Sequence, residues 1–148
     1  MSFALARAQI VSILEATSLS YAHEDLPATL QHVSESSEAD APAPRGFWLE
    51  ASARGIDNPL GALSRAHTVA DLSVVVFYAD IIERGVLDVA IAQDYDDIAR
   101  TLADPAQWNR PTSTIVALDS AGALLPRQRR PLSGGVLSVL TFPLEYTP

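Results

Sequence analysis

Apolar residues recur along the chain with two spacings, one typical of helices and one typical of strands. Ser2 can cap a helix that runs to about Ala16, because the apolar residues after it fall on one helical stripe. After Gly85 apolar residues again recur at intervals of four and three, which predicts a second helix that Pro105 ends. The two stripes consist of Phe3, Ala6, Ile10, Ile13 and Leu14, and of Leu87, Ile91, Tyr95, Ile98 and Leu102.

Alternating patterns predict four strands, at 47–52, 68–79, 113–119 and 135–146. In the strand 68–79 the second face also becomes apolar toward its end, at Val75 and Phe77, which indicates that this strand enters a two-sided core. The main apolar faces consist of Phe47, Leu49 and Ala51 in the first strand, of Ala70, Leu72, Val74, Val76 and Tyr78 in the second, and of Val136, Leu140, Phe142, Leu144 and Tyr146 in the last.

The predicted element order is therefore α-β-β-α-β-β, within a single domain that spans residues 1–148. This order is typical of an α+β fold with a four-stranded, mostly antiparallel sheet packed by two helices. A long loop or arm, residues 18–45, follows the first helix and has no apolar periodicity. Because its composition offers little to bury, we expect neighbouring subunits rather than its own core to hold it. The stretch 120–132 is turn-rich and is predicted to be a connection.

Pro143 lies inside the closing strand, where a missing N–H group cannot donate to a neighbouring strand. This places the strand at an edge of the sheet or at a bulge. An edge strand that is apolar on both faces would be an aggregation hazard in a free monomer. We therefore expect 135–146 to lie beside another long strand and close to a subunit boundary, with its second face, at Thr141 and Pro143, directed toward assembly.

Composition narrows the function further. The 148 residues carry a formal net charge of −8 and no cysteine, and all ten basic residues are arginine. A disulfide or thiolate metal site is therefore excluded, and the acidic balance argues against binding to DNA phosphates. No apolar run reaches the roughly 20 residues that span a bilayer, and the apolar start lacks the features of a signal peptide.

Catalytic and metal-binding motifs are not found in the sequence. It contains no phosphate-binding loop, dinucleotide fingerprint or nucleophile elbow, and its histidines, at 23, 32 and 67, form no ligand pair. The run His23-Glu24-Asp25 is interpreted as an exposed loop cluster. Asp94, Asp96 and Asp97 lack the glycine and distal glutamate of a calcium loop, and we interpret them as a solvated helix face. We expect no enzyme, no cofactor and no metal.

Two features are candidates for a subunit interface. Arg127, Arg129 and Arg130 form a basic cluster in an acidic chain, and they belong either to a solvated loop or to a contact with an acidic surface of a neighbouring subunit. Trp108 follows the second helix, where it either packs at the edge of the core or anchors an interface.

From about Val69 onward, over roughly the last 80 residues, the chain resembles the tail terminator (tail completion) proteins of long-tailed bacteriophages and related gene-transfer particles. The stretches that carry the resemblance are the strand SVVVFYA, the helix DYDDIARTLADP with the following QW, and the closing strand VLSVLTFPLEY. The first helix agrees in position only, and residues 18–45 have no counterpart.

The resemblance implies a structural virion protein that is assembled in the host cytoplasm and forms a ring, most often a hexamer, on the end of the tail tube. Such a ring stops tube polymerisation and offers the surface that joins the head-tail connector, while DNA passes through its lumen without specific binding. The alternatives are a head-side connector or neck protein of the same particle and, in another class, a small-ligand-binding α+β module.

Overall fold

A computed structural model describes residues 2–33, 43–57, 67–79, 82–108, 115–118, 128–132 and 134–146. These residues form an α+β fold with three helices and six strands. In chain order the elements are α1 (Ser2–Glu15), β1 (Gln31–His32), β2 (Gly46–Asp57), β3 (His67–Ala79), α2 (Arg84–Ala103), α3 (Pro105–Trp108), β4 (Ile115–Leu118), β5 (Gln128–Leu132) and β6 (Gly135–Tyr146).

The predicted elements correspond to α1, α2, β2, β3, β4 and β6, but the predicted count of four strands is too low for the described residues. β1 is too short to show a pattern. β5 was predicted to be part of a turn-rich connection, because two arginines and a proline leave it without an alternating apolar pattern. Its conformation comes from pairing with β6 across a two-residue turn, in which Gly134 has a φ of 83°.

The strands lie in the order β1-β2-β3-β6-β4, and β5 also pairs with β6. β1 runs parallel to β2, whereas the other pairings are antiparallel. The longest pairing joins β3 and β6 over residues 68–79 and 135–146. The prediction that 135–146 lies beside another long strand is therefore confirmed.

Of the two positions predicted for Pro143, an edge strand or a bulge, the edge strand is wrong, because β6 lies between β3 on one side and both β4 and β5 on the other. β5 pairs with residues 135–139 and β4 with residues 144–146. Among the described residues no strand pairs with 140–143 on that side. Pro143 lies in this interruption, so a missing N–H group is tolerated inside an otherwise central strand.

Both helices α1 and α2 pack on the same face of the sheet. The main core lies between them and the strands, and it includes the alternating faces predicted for β3 and β6. The opposite face is covered by none of the described helices, and on this helix-free face a smaller apolar cluster consists of Trp48, Val75, Phe77, Leu137 and Val139. The sheet is therefore apolar on both faces at this end, as the pattern of β3 predicted.

The segment that follows α1, residues 17–33, includes β1 and packs on the chain's own core. Leu26 and Leu30 are buried, and Leu19 and Tyr21 pack against the main core. The expectation that neighbouring subunits hold the loop 18–45 is therefore wrong for its first half, because a few spaced apolar residues suffice to anchor an irregular segment. Residues 34–42 lie outside the described part of the chain.

Candidate functional site

The structure does not bring the predicted interface residues together. Arg127 lies outside the described residues. Arg129 and Arg130 lie in β5, opposite Ser138 and Leu137 of β6, and not in the loop predicted for them.

Trp108 ends α3 and is half-buried against the main core. Its indole N–H donates to the carbonyl of Leu102 at 3.1 Å, and its own carbonyl accepts a hydrogen bond from Gln9 at 3.2 Å. Both contacts are made within the chain and join α3 to α2 and to α1. Of the two interpretations offered by the sequence, packing at the edge of the core describes this geometry.

Thr141 and Pro143 are half-buried on the helix-free face of the sheet. The hydroxyl groups of Thr141 and Ser73 lie 2.8 Å apart and share a hydrogen bond across β6 and β3. This part of the face, unlike the end with the small apolar cluster, is polar.

The best-organised polar group of the described residues was missed by sequence reasoning. It consists of Arg45, Asp94 and Tyr78, which we call the Arg45 network. The guanidinium of Arg45 makes a bidentate contact with the Asp94 carboxylate, with N–O distances of 2.9 and 2.8 Å. The Tyr78 hydroxyl donates to the same carboxylate at 2.8 Å. Arg45 and Asp94 are each only 1% exposed at their side chains.

Two further N–H groups of the Arg45 guanidinium bind the segment 17–33. They donate to the carbonyl oxygens of Pro27, at 2.6 Å, and Tyr21, at 2.7 Å. The backbone N–H of Arg45 donates to the Phe77 carbonyl of β3, and its own carbonyl accepts from Gln31 of β1. Arg45 thus connects the segment 17–33, which includes β1, to α2 and β3.

The backbone of Arg45 pays a conformational cost for this position. Its φ of 63° lies in the left-handed region, which residues with a Cβ rarely adopt. The surrounding hydrogen bonds therefore hold Arg45 in a conformation that the isolated chain would avoid.

Burial dominates the electrostatics of the Arg45 network. Desolvation raises the pKa of Asp94, against the opposing effect of the hydrogen bonds from Arg45 and Tyr78. Burial and the neighbouring Asp94 carboxylate raise the pKa of Tyr78 well above its usual value, so Tyr78 keeps its proton and acts as a donor. The Arg45 guanidinium makes four hydrogen bonds within the chain, and the side chains of Arg45 and Asp94 are almost fully buried, so the network stabilises the fold and presents no exposed group to a substrate.

Asp97 reinforces the same contact one turn later. Its Oδ2 accepts hydrogen bonds from both the backbone N–H and the hydroxyl of Ser20, each at 2.9 Å. Asp94 and Asp97 are buried, so the interpretation of the aspartate run as a solvated helix face is wrong for both; Asp96 is exposed. The burial of Asp94 could have been predicted from its spacing, because it lies three residues after Ile91 and four before Ile98, on the buried stripe of α2.

The three histidines lie in separate parts of the fold. The side chains of His23, Glu24 and Asp25 bring potential ligand atoms within 4.8 Å of one another, and both carboxylates are exposed. The backbone N–H of Asp25, however, donates to Nδ1 of His23 at 3.1 Å, which occupies that nitrogen's lone pair. His32 lies in β1 with its ring edge against Phe47, and His67 begins β3. The run His23-Glu24-Asp25 lies in a loop, as predicted.

Two half-open cavities of about 260 Å³ each lie next to α1 in the described part of the chain. One is lined by Gln9, Ser12, Ile13, Ala16 and Gln107. The other lies beneath the first turn of α1 and is lined by Phe3, Ala51, Ala70 and Tyr146. Both are smaller than the roughly 300–1,000 Å³ in which drug-sized ligands are buried, and the described residues that line the second carry no charge.

Comparisons with known proteins add no relative. No protein-family model matches the chain, and no curated protein matches it significantly. Among the described residues, no helix combines the length and the apolar character that crossing a membrane requires.

Proposed function

We propose that the protein is a structural subunit of a phage-like particle, which forms a ring on the end of the tail tube, stops tube polymerisation and provides the surface for head-tail joining. The ring is a homohexamer with a lumen through which DNA passes. Its partners are further copies of the chain, the tail tube protein and the head-tail connector protein.

The observation that carries the proposal is the resemblance over the stretch from Val69 onward. Its three stretches correspond to β3, to α2 with α3, and to β6. In the fold these are the two central strands and the helix that covers them. The resemblance therefore covers a coherent structural unit.

The chemistry of the described residues supports a structural role over a catalytic one. The most elaborate polar group, the Arg45 network, is sealed from solvent and has no atom to offer a substrate. The formal net charge of −8 supports a channel that DNA crosses without being held, since phosphate binding needs clustered basic residues. We keep Arg127, Arg129 and Arg130 as the candidate contact with an acidic surface of a neighbouring subunit.

A head-side connector in the same particle is the alternative role within this class. A small-ligand-binding module is the alternative in another class, and the two cavities next to α1 are the features that would serve it. Their size and half-open shape suit a single side chain better than a whole ligand.

The test is assembly with the tail tube protein of the same particle. The purified chain is added to polymerising tube protein, and tube lengths and tube ends are recorded by electron microscopy. We expect shorter tubes that carry a closed ring at one end, and native mass spectrometry is expected to give six copies per ring. Binding to isolated connector rings but not to tube ends would favour the head-side role. A chain that leaves tube length unchanged and binds neither would refute both.

A further inference from the structure

The first turn of α1 presents an apolar side chain to solvent on one side and an apolar cavity on the other. Leu5 is 61% exposed, the highest value among the large apolar side chains of the described residues. The half-open cavity of about 260 Å³ is lined by Phe3, Ala51, Ala70 and Tyr146. Phe3 and Tyr146 form its aromatic wall, with ring centroids 5.4 Å apart.

Helix geometry places the two features on nearly opposite sides. Leu5 follows Phe3 by two residues, which is a rotation of about 200° around the helix axis. A subunit therefore cannot fill its own cavity with its own Leu5. A contact in which Leu5 of one copy enters the cavity of the next uses different surfaces on the two copies, and such heterologous contacts generate rings when the rotation closes.

Both surfaces lack charged residues, as far as the structure describes them, which a contact between two acidic copies requires. Two chains of net charge −8 repel each other, so a contact between copies must avoid their carboxylates. Among the described residues beside Leu5, the exposed ones are Ala4 and Ala8, which are small and uncharged. The described residues that line the cavity are uncharged as well. By contrast, the exposed positions of α2 include Arg84, Asp88, Asp96 and Arg100.

We propose that Leu5 of each subunit inserts into the cavity formed by Phe3, Ala51, Ala70 and Tyr146 of its neighbour, and that this head-to-tail contact joins the subunits of the ring. The inference rests on the proposed function, which supplies the closed ring.

Two substitutions test the two sides of the contact separately. Leu5→Glu places a charge on the inserted side chain, and it should spare the fold because the position is exposed in the first turn of a helix, where glutamate is favourable. Ala51→Phe fills the cavity from an exposed strand position, where an aromatic residue is also favourable. The matched control is Val89→Glu, which charges the 51% exposed valine of α2.

Ring formation is measured by native mass spectrometry over a protein concentration series, with the chain alone and with the tail tube protein. We expect each of the first two variants to need at least about tenfold more protein to form rings, whereas Val89→Glu behaves as wild type. Circular dichroism melts verify that each variant is folded.

A mixture of the two variants gives the sharpest result. In an equimolar mixture, the intact Leu5 of the Ala51→Phe chain can enter the intact cavity of the Leu5→Glu chain. One productive contact per pair should yield dimers with one copy of each variant and no closed ring. Rings of wild-type stability from both single variants would overturn the contact and leave the proposed function standing. A wild-type chain that forms no ring, even with the tube protein, would overturn both.

Discussion

Removing the guanidinium of Arg45 tests whether the Arg45 network holds the fold together. Arg45→Met keeps a long side chain and a Cβ, so the cost of the left-handed backbone at this position stays the same. The substitution removes the bidentate contact with Asp94 and the two hydrogen bonds to the carbonyls of Tyr21 and Pro27. The carboxylate is left buried, with the hydroxyl of Tyr78 as the remaining partner from the network.

The expected magnitude follows from the burial of the pair. Breaking a buried ion pair by removing one partner costs about 3–5 kcal/mol, because the other charge is left uncompensated. A domain of this size has about 5–15 kcal/mol of stability in total. Urea unfolding monitored by circular dichroism should therefore show a large fall in the midpoint. Arg100→Met is the control: this arginine is 75% exposed and 3.7 Å from Asp97, so we expect a change within about 0.5 kcal/mol.

The pH dependence distinguishes an uncompensated charge from lost packing. Burial already raises the pKa of Asp94, and loss of the Arg45 contact, which opposes that rise, must raise the pKa further. A carboxyl group whose pKa is raised in the folded state binds its proton more tightly there than in the unfolded chain. As the pH falls from 7 toward about 4, the usual value in the unfolded chain, the variant should therefore recover stability relative to wild type.

Asp94→Asn should show no such recovery, because the arginine that it leaves buried keeps its charge at every accessible pH. The double variant Arg45→Met/Asp94→Asn should lose less than the sum of the two single variants, since neither charge is then left alone. A stability loss in Arg45→Met that is small, or that is independent of pH, would refute the reasoning.

Three further predictions concern the sheet. Because the pKa of Tyr78 is raised in the folded state, the protein should lose stability as the pH rises above about 10. The chain has no lysine or cysteine that would titrate in the same range, so Tyr78→Phe should reduce this loss in a pH–stability curve. An unchanged loss would contradict the role given to Tyr78. Gly135→Ala should destabilise the fold by about 1–3 kcal/mol or more, because a Cβ there would overlap the Tyr78 carbonyl oxygen and lie 2.6 Å from the Phe77 ring. The control is Gly85→Ala, where the nearest atom to the new Cβ is 4.0 Å away. A thermal melt should show this control to be neutral or stabilising. Phe142→Ala should lower the free energy of unfolding by about 3–5 kcal/mol. Thr141→Arg, on the half-buried opposite face, should keep the fold and disturb assembly. Thermal melts and native mass spectrometry of both variants would give the reverse result if the two faces of β6 were misassigned.

The chain pattern alone predicted the elements whose residues repeat with a regular period. The bounds of β6 agree with the predicted strand 135–146, and α1, α2 and β3 agree to within one or two residues at the ends with a stated bound. The two apolar faces of β3 were also predictable, because strand side chains alternate and both faces carry large apolar residues near its end. These features depend on neighbours along the chain, so a linear pattern encodes them.

The position of β6 within the sheet could not be read in the same way. Pro143 indicated an edge strand or a bulge, because a strand that is paired along its whole length on both sides needs every backbone N–H group. The structure avoids the conflict by pairing one side of β6 with two separate short strands, β4 and β5. Which strands lie side by side depends on contacts between distant segments, and these leave no periodic signal.

The sequence by itself determined the α+β class, the helices α1 and α2, the strands β2, β3, β4 and β6, and the faces that form the core. Only the tertiary structure decided that Arg45 meets Asp94 across 49 residues of chain, and that the segment 17–33 is held by this contact. Likewise, only folding brings together the lining of one cavity from α1, β2, β3 and β6, which contribute Phe3, Ala51, Ala70 and Tyr146. The physical reason is that a periodic pattern records which face of an element is buried, whereas the partner of a single buried charge or cavity wall is fixed by how the elements pack.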